Sequence, residues 1–420
     1  MNLQPVRGTR DLFGEDINKY NHVVEVAREI SLAYNFTELM TPIFEFSEVF
    51  ERNLGDTSDI VLKEIYKFKD RSDNYLSLRP EFTAGVVRAL LNNSELGDRL
   101  PIKLFSHGPI FRYDRPQKGR YRQFSQVNFE CFGIDGYMGD VDMILMCRRF
   151  LESLGVDNLT LEINSLGSEE SRESFENSLG KYLEKYKGDL SEDSKIRLEK
   201  NILRILDSKD ERDRKILENA PRIGAHYTME DRKFFSSILE KLSLMGVKYE
   251  INESLVRGLD YYTSTVFEFI PGKLAADRLG AQSTVMAGGR YDRLVGQMSN
   301  RNVPAVGCAA GVERLMLLME EQQLGLELIS VIPVSDGELD HCLELVERLR
   351  SRGIACELNS HGSIRKKMTL ANRSHSKYTI IVGTEEIGTG TLTLKDMETG
   401  IEEKLDPSSL LEKLSPLLEL

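Results

Sequence analysis

The stretch that decides the fold reads FRYDRPQKGRYRQFSQVNFECFG and occupies residues 111–133. Residues 105–113 and 123–132 are rich in aromatic and branched side chains, and they flank a polar, glycine-containing segment at 116–121. This pattern predicts an antiparallel hairpin with a long tip. Because a purely structural turn needs only about two to five residues, a tip of this length is typical of a functional loop.

The charge of this hairpin contrasts with that of the whole chain. The 420 residues carry 55 basic and 67 acidic side chains, a net charge of −12, which argues against a protein that coats nucleic acid non-specifically. The hairpin tip is nevertheless basic, because Arg112, Arg115, Lys118, Arg120 and Arg122 face the single acid Asp114. Arginine forks match phosphate oxygens, so the tip is predicted to bind phosphates.

The second strand of the hairpin also carries a candidate ligand face. Alternate residues of a strand share one face, so Gln126, Asn128 and Glu130 are predicted to point toward one ligand. Val127 and Phe129 would then turn to the core.

Two further stretches place charged and hydroxyl groups together. The residues RPEFTA at 79–84 set Glu81 and Thr83 where a strand ends and a helix begins, which suits an ammonium group or, alternatively, a plain helix cap. The residues LVRGLDYYT at 255–263 place a cation beside two phenols. They favour an anionic ligand, and the alternative is an arginine–tyrosine stack in the core.

A fourth stretch is rich in small residues. AGGRYD at 287–292 and PAVGCAAGVERL at 304–315 would let a planar ligand lie against the backbone, with Arg314 covering it or reaching a phosphate. The alternative is a tight joint between a strand and a helix. A helix from Gly311 to about Gln323 is expected to follow.

The remaining pattern predicts more than one domain. A length of 420 residues suggests two or three. An amphipathic helix is predicted from Asp16 to Tyr34, a charged helical module from 168 to 248, and alternating strands and helices after Leu324. Pro42 interrupts a β-like run at 36–45 and marks an edge strand or a bend.

Several classes of protein are disfavoured. No GxxxxGK[ST] loop occurs, no early GxGxxG follows a strand, and the five cysteines form no CxxC pair, so a P-loop enzyme, a Rossmann enzyme, a disulfide framework and a zinc site are not expected. The N-terminus lacks a signal-peptide pattern and no run of about 18 apolar residues occurs, so we expect a cytoplasmic protein with no membrane partner.

Taken together, these stretches resemble the histidyl-tRNA synthetases, a class II aminoacyl-tRNA synthetase family, along nearly the whole chain. Pro42 and Glu45 are similar to motif 1 of class II enzymes, which forms the dimer interface, whereas 111–130 is similar to motif 2 and 311–314 to motif 3. The stretches RGLDYY and AGGRY are similar to the two signatures that distinguish the histidine enzymes.

This resemblance implies a fold and a domain plan. The fold is an α+β catalytic domain built on an antiparallel sheet, at residues 1–324, with an inserted helical domain at 168–248. A C-terminal α/β anticodon-binding domain would occupy 325–420. The resemblance also implies a homodimer.

The resemblance further implies roles for the candidate residues. The residues that match the family's L-histidine site are Glu81, Thr83 and Gln126 for the α-amino group, Glu130 and Tyr262 for the imidazole, Arg257 for the carboxylate and the α-phosphate, and Tyr261 and Tyr291 beside them. The residues that match its ATP site are Arg112 at the α-phosphate and Arg120 and Arg314 at the γ-phosphate end, with Arg314 also near adenine. Arg112 and Arg257 would be the catalytic pair.

The implied reaction joins L-histidine to tRNA(His) through a histidyl-adenylate, without a covalent enzyme nucleophile. Mg²⁺ would accompany ATP, and no metal cage made of protein side chains alone is expected. Arg115 and Gln117 would touch the acceptor end of the tRNA. Two positions depart from the family pattern, with Phe82 where glycine is common and Ser125 where histidine is frequent.

Two other functions compete with this one. A catalytically silent paralogue that regulates ATP phosphoribosyltransferase would sense histidine, but such paralogues tend to lose residues like Arg257 and resemble only the catalytic core. A class II synthetase for glycine, threonine or proline would share the related C-terminal domain. The combination of Glu130 with Tyr262 argues against it.

Overall fold

The computed structural model of the chain describes residues 3–54, 60–117, 119–279, 284–320 and 327–414. Lys118 of the hairpin tip and the expected domain boundary at 324/325 therefore lie outside the described residues. The chain forms two units, Met1–Gln322 and Gln323–Leu420. No helix in the described part of the chain is long and apolar enough to cross a membrane.

Sixteen strands are described in the chain, and eight of them form the large sheet of the first unit. The described strands of the chain, in order, are β1 (Thr37–Glu38), β2 (Phe44–Phe46), β3 (Lys67–Lys69), β4 (Tyr75–Leu78), β5 (Ile102–Phe111), β6 (Gln123–Phe132), β7 (Leu159–Ser165), β8 (Tyr249–Ile251), β9 (Thr265–Pro271), β10 (Met286–Arg290), β11 (Ala305–Gly311), β12 (Ile329–Pro333), β13 (Cys356–Leu358), β14 (Tyr378–Val382), β15 (Leu392–Asp396) and β16 (Glu402–Leu405). The large sheet runs β1-β5-β6-β11-β10-β9-β7-β8. Its two edge pairs are parallel and the pairs between them are antiparallel, so the predicted antiparallel catalytic fold is confirmed.

The predicted hairpin is present. Strands β5 and β6 pair from Ile102 opposite Phe132 to Phe111 opposite Gln123, and eleven residues separate the last pair of positions along the tip. Val127 and Phe129 are fully buried, as expected for the core face. The hairpin lies in the interior of the sheet, since β1 and β11 flank it.

Sixteen α-helices are described, twelve in the first unit and four in the second. The α-helices are α1 (Glu15–Ala33), α2 (Ser47–Leu54), α3 (Thr83–Asn92), α4 (Ser94–Gly97), α5 (Met138–Ser153), α6 (Glu169–Leu183), α7 (Glu192–Lys200), α8 (Glu211–Leu217), α9 (Met229–Leu244), α10 (Lys273–Leu279), α11 (Leu294–Met298), α12 (Val312–Leu318), α13 (Leu339–Arg350), α14 (Ile364–Arg373), α15 (Thr384–Thr389) and α16 (Pro407–Leu414). Short 3₁₀ turns occupy Glu184–Tyr186, Ile202–Asp207, Ile223–His226 and Asp336–Glu338, and a π-helical turn occupies Ile60–Glu64.

One sequence expectation in this unit is wrong and another is confirmed. The helix expected to run from Gly311 to about Gln323 ends at Leu318, because Met319 leaves the helical backbone with ψ 141°, whereas Gln323 lies outside the described residues. The β-like run is interrupted at Pro42 as predicted: β1 and β2 lie on either side of it, and each is the edge strand of its own sheet.

The helical module between 168 and 248 contains no strand. Three Ser or Thr side chains begin its α-helices by accepting backbone N–H bonds, at Ser168, Ser191 and Thr228. Part of the module has its own hydrophobic core, formed by Phe175, Leu179, Leu183, Leu190, Ile205, Leu217, Ala220 and Ile223. The high charge of this region is therefore the solvent face of packed helices.

The second unit is an α/β domain, as predicted. Its five-stranded sheet runs β13-β12-β14-β15-β16, with parallel pairs among the first three strands and antiparallel pairs beyond them. Strands β12, β13 and β14 alternate with helices α13 and α14, which is the alternation of strands and helices predicted after Leu324. Strands β15 and β16 and helices α15 and α16 were not predicted.

Candidate active site

An open cavity of about 950 Å³ lies over the middle of the large sheet. Residues from β6, β9, β10 and β11 form its base, and α3, the hairpin tip and the 255–262 segment form its walls. Ten of the predicted site residues line it: Glu81, Thr83, Arg112, Arg120, Gln126, Arg257, Tyr261, Tyr262, Tyr291 and Arg314. Residues more than two hundred positions apart thus meet at one cavity.

Glu130 lies beneath the surface of the cavity and is 1% exposed. Its carboxylate accepts hydrogen bonds from the Thr83 hydroxyl at 2.5 Å, from Asn128 Nδ2 at 3.0 Å and from the Tyr291 hydroxyl. Burial raises the pKa of Glu130 to about 7 even though these donors oppose the shift. The carboxylate is therefore a buried acceptor that reaches the cavity through Thr83 and Tyr291.

The space in front of Glu130 exists because β11 carries a glycine opposite it. Gly307 is the register partner of Glu130, and a Cβ added at Gly307 would lie 1.6 Å from Glu130 Oε2. On the next strand, a Cβ at Gly289 would lie 2.8 Å from the ring of Tyr262, and one at Gly288 would lie 2.2 Å from the Gly307 carbonyl oxygen. The small-residue stretches therefore let the buried carboxylate and the tyrosine rings approach the backbone.

Glu81 lies two residues before helix α3 and caps its N-terminus. Its carboxylate accepts the backbone N–H groups of Thr83 at 2.5 Å and of Ala84 at 2.9 Å, and the residue is 4% exposed. Burial raises the pKa of Glu81, while these hydrogen bonds and the Arg112 guanidinium oppose the rise. The helix-cap alternative is thus present in the structure, but the cap is a buried carboxylate at the cavity wall, which suits a cation as well.

Tyr261, Tyr262 and Tyr291 form an aromatic wall. Their ring centroids lie 4.8 to 6.4 Å apart, and the Tyr261 hydroxyl lies 3.4 Å from the Thr83 hydroxyl oxygen. Burial raises the pKa of Tyr262 to about 12, so the phenol stays protonated at neutral pH. This wall offers neutral hydrogen-bond donors and apolar faces to a planar ligand.

Arg257 is held by a carboxylate that the sequence analysis did not single out. It forms an ion pair with Glu268 on β9, and the second oxygen of Glu268 accepts the Thr284 hydroxyl at 2.6 Å. Burial, the largest single influence, would lower the pKa of Arg257, but the Glu268 carboxylate together with the nearby Tyr261 and Tyr262 hydroxyls raises it overall. A single carboxylate within the apolar strand TVFEFIP was the available signal, because charged side chains are rarely buried without a partner.

Three arginines surround the other end of the cavity. Arg112 Nε donates to the Pro80 carbonyl at 2.8 Å, Arg120 pairs with Asp114, and Arg314 Nη1 donates to the Thr284 carbonyl at 2.9 Å. Burial and the neighbouring arginines lower the pKa of Arg314. Positive charge is therefore concentrated here, and it favours an anionic ligand.

The two remaining predicted residues lie apart from the cavity. Arg115 and Gln117 are exposed on the hairpin tip, and neither lines the cavity. The inserted module contributes lining residues that were not predicted, among them Lys209, Arg214 and Arg222. Their basic side chains would extend the positive field at that wall.

The two departures from the family pattern have defined places. Phe82 is 1% exposed, and the Arg79 guanidinium lies 4.3 Å above its ring centroid. The Ser125 N–H bonds both oxygens of the Glu313 carboxylate at 3.0 Å, which joins β6 to α12. Phe82 therefore packs in the core, and position 125 makes this joint through its backbone.

Comparison with known proteins agrees with this architecture. A family model described as Histidyl-tRNA synthetase matches residues 8–168 and 189–315, and a model described as Anticodon binding domain matches 329–417. A histidine--tRNA ligase from Rickettsia bellii (strain RML369-C) is 45% identical over 414 residues, which cover 98% of each chain. Another, from Wolbachia pipientis subsp. Culex pipiens (strain wPip), is 44% identical over 415 residues, 99% of this chain and 100% of the relative.

A solved structure shares the fold over the same length. The crystal structure of an apo histidyl-tRNA synthetase from S. aureus superposes with a TM-score of 0.81 at 31% identity, covering 98% of this chain and 99% of that one. The resemblance inferred from the sequence is therefore confirmed. Because the family model spans more than half of the chain and full-length relatives exceed 40% identity, the chain belongs to the histidyl-tRNA synthetase family.

Proposed function

We propose that the chain is a histidine–tRNA ligase that activates L-histidine with ATP and then transfers the histidyl group to the 3′ end of tRNA(His). In the first step a carboxylate oxygen of histidine attacks the α-phosphorus of ATP, and pyrophosphate leaves. In the second step a terminal ribose hydroxyl of the tRNA attacks the carbonyl carbon, and AMP leaves. The observation that carries this proposal is one cavity that has a hydrogen-bonding end, lined by Glu81, Thr83 and the three tyrosines, and an arginine-rich end.

Histidine binds at the hydrogen-bonding end of the cavity. Glu130, through its network, and Tyr262 read the imidazole, since an imidazole N–H needs an acceptor and the other ring nitrogen needs a donor. Glu81, Thr83 and Gln126 hold the α-amino group, because buried oxygens stabilise an ammonium ion. Tyr261 and Tyr291 shape the pocket, and their rings lie 5.4 Å apart.

ATP binds at the arginine-rich end. Attack by a carboxylate on a phosphate brings two anions together, so the transition state gains most from cations that are already in place. Arg112 and Arg257 take this catalytic role at the α-phosphate, and Arg257 also holds the histidine carboxylate. Arg120 and Arg314 bind the γ-phosphate end, with Arg314 also over adenine.

Mg²⁺ accompanies ATP in this proposal. At a nucleotide site the ion keeps several waters and needs only one or two carboxylates besides phosphate oxygens. Glu268 fits this requirement, because its carboxylate lines the cavity near both Arg257 and Arg314. The described residues hold no group of three or more His, Cys, Asp or Glu that would bind a metal ion alone. When bound, the ion would neutralise phosphate charge.

The tRNA uses other parts of the chain. Arg115 and Gln117 are exposed on the hairpin tip and do not line the cavity. We assign them to binding of the tRNA acceptor end. The second unit, whose sequence matches the anticodon-binding model, takes the anticodon. Translation enzymes work beside ribosomes, so the cytoplasm is the proposed location.

A homodimer accounts for an exposed apolar surface. The three-stranded sheet and the residues before it expose Met40, Ile43, Phe44, Phe46, Phe68 and Tyr75. A patch of this kind on one element marks an interaction site in a folded protein. The resemblance of Pro42 and Glu45 to motif 1 supports a second copy of the chain as its occupant, and sedimentation of the purified protein should give twice the chain mass.

One experiment tests the function against both alternatives. Pyrophosphate exchange with each of the twenty amino acids, in the presence of ATP and Mg²⁺, should proceed with histidine alone. Silence with every amino acid would favour the regulatory paralogue, although the full-length histidine–tRNA ligase relatives lend that alternative no support. Exchange with glycine, threonine or proline in place of histidine would redirect the specificity.

A further inference from the structure

The segment 256–262 carries three of the residues assigned to histidine, yet it belongs to neither a helix nor a strand. Arg257, Tyr261 and Tyr262 all lie on it, between strands β8 and β9. A segment outside the sheet is not fixed by ladder hydrogen bonds, so its conformation depends on the side chains that touch it. The side chains that contact this segment therefore determine where its histidine-binding residues lie.

Behind this segment there is open space. A second cavity of about 520 Å³ lies between the inserted module and the segment. Val256, Leu259 and Tyr262 line one wall, and Leu166 and Leu198 line another. Leu255, Tyr261 and Tyr262 anchor the segment in the core of the first unit, whereas the side that borders this second cavity is held by polar contacts.

The inserted module bridges this space with Arg204. Its Nη2 atom donates to the Gly258 carbonyl at 2.7 Å and lies 3.1 Å from Asp260 Oδ1, which also accepts from Asn201 Nδ2 at 3.0 Å. The Arg204 side chain is 11% exposed and that of Asp260 is 22% exposed. An ion pair so shielded from water is stronger than one on the surface.

A second arginine of the module holds the far end of the segment. Arg172, on α6, donates from Nη2 to the Tyr262 carbonyl at 2.8 Å and to the Thr263 carbonyl at 3.1 Å. Its fork reaches the backbone directly, so it fixes the carbonyl of Tyr262 whatever side chain stands there. Arg172 and Arg204 therefore donate hydrogen bonds to opposite ends of the stretch 258–263.

We propose that Arg204 and Arg172 are positioning residues for histidine activation: they set the backbone of 258–263 so that Arg257 and Tyr262 face the active-site cavity. In this proposal neither arginine contacts the reacting atoms of the substrates. Both act through the backbone of the segment. This inference rests on the proposed function and assigns to the inserted module a part in amino-acid binding.

The test is the kinetics of pyrophosphate exchange in the full-length chain carrying Arg204→Ala. We expect kcat/KM for histidine to fall at least tenfold, and KM for ATP to change less than twofold, because Arg112, Arg120 and Arg314 stand on other elements. Arg204→Lys should recover part of the loss, since it keeps the charge but not the fork. Arg212→Ala is the matched control, because Arg212 pairs with Asp210 on the surface of the same module.

A double-mutant cycle with Asp260 separates positioning from general damage. If Arg204 acts through Asp260, the losses in Arg204→Ala and Asp260→Asn should not add in the double variant. Additive losses would overturn the proposal, as would an Arg204→Ala enzyme with an unchanged kcat/KM for histidine. Should Arg204→Ala fail to fold, Asp260→Asn alone must still raise KM for histidine severalfold. Absence of exchange in the unaltered chain would instead refute the proposed function itself.

Discussion

The Tyr291 hydroxyl donates a hydrogen bond to the Glu130 carboxylate beneath the active-site cavity. Both residues are 1% exposed, and Thr83 and Asn128 donate to the same carboxylate. A buried carboxylate without donors is costly, so these three groups hold Glu130 in place and leave it oriented toward the cavity. The pair therefore links the AGGRY stretch of the sequence to the hairpin.

Replacing Tyr291 by phenylalanine should weaken histidine binding selectively. The change removes one donor from a buried carboxylate, a loss of about 1–3 kcal/mol, and a loss of 1.4 kcal/mol corresponds to a tenfold change in affinity. We expect KM for histidine in pyrophosphate exchange to rise about tenfold with KM for ATP nearly constant. Tyr249→Phe is the control, since its hydroxyl contacts Ser243 at the surface. Equal rises in both KM values would contradict the assignment.

The raised pKa of Glu130 predicts a pH-dependent stability. The pKa of Glu130 is about 7 in the folded chain against its ordinary value of 4.5, so the folded chain keeps a proton that the unfolded chain loses between these two values. Native stability should therefore fall as pH rises from 4.5 to 7, by an amount on the order of 3 kcal/mol from this group.

Glu130→Gln isolates this effect, because glutamine cannot ionise. The free energy of unfolding of the variant, relative to the native chain, should rise between pH 4.5 and pH 7 and then level off. Urea denaturation followed by circular dichroism at several pH values measures it. A difference that stays constant across this range would show that Glu130 ionises in the folded chain as readily as in the unfolded one.

Arg257→Ala should reduce adenylate formation by roughly 10²- to 10³-fold, as loss of a transition-state donor does. The ion pair with Glu268 would also be lost. Single-turnover formation of histidyl-adenylate is the direct measurement, with circular dichroism to verify the fold. Arg257→Lys, which keeps the charge without the fork, should lie between the two. An unchanged rate in Arg257→Ala would remove this residue from the mechanism.

Arg115→Ala should separate the two half-reactions. Arg115 is exposed on the hairpin tip and does not line the cavity, so histidine-dependent pyrophosphate exchange should change less than twofold. Aminoacylation of tRNA(His) should lose about tenfold in kcat/KM and depend less steeply on salt, because one phosphate-directed cation is gone. A variant that loses exchange as strongly as aminoacylation would place Arg115 in the adenylation site instead.

The sequence predicted the hairpin and most of the cavity lining because both leave local signatures. Alternating apolar residues specify β5 and β6, and unusual clusters such as RGLDYY stand out without a structure. The depth of Glu130 was not predictable, since it depends on Gly307, which is 177 positions away and becomes its neighbour only through strand pairing.

Short elements were missed for a related reason. Strand β3 has only three residues, and such a length carries too little periodicity to distinguish a strand from a loop. Glu268 was missed because its importance comes from Arg257, a partner on a different segment. Tertiary pairing determines both cases.

The glycines beneath the cavity make its size adjustable in one direction only. At Gly288, Gly289 and Gly307 there is no side chain left to remove, and any added carbon collides with Glu130, Tyr262 or a neighbouring strand. Mutation at these positions can shrink the pocket but cannot enlarge it. A search for variants that accept bulkier histidine analogues should therefore leave the sheet glycines unchanged. It should replace residues of the tyrosine wall by smaller ones, because only there can side-chain volume be removed.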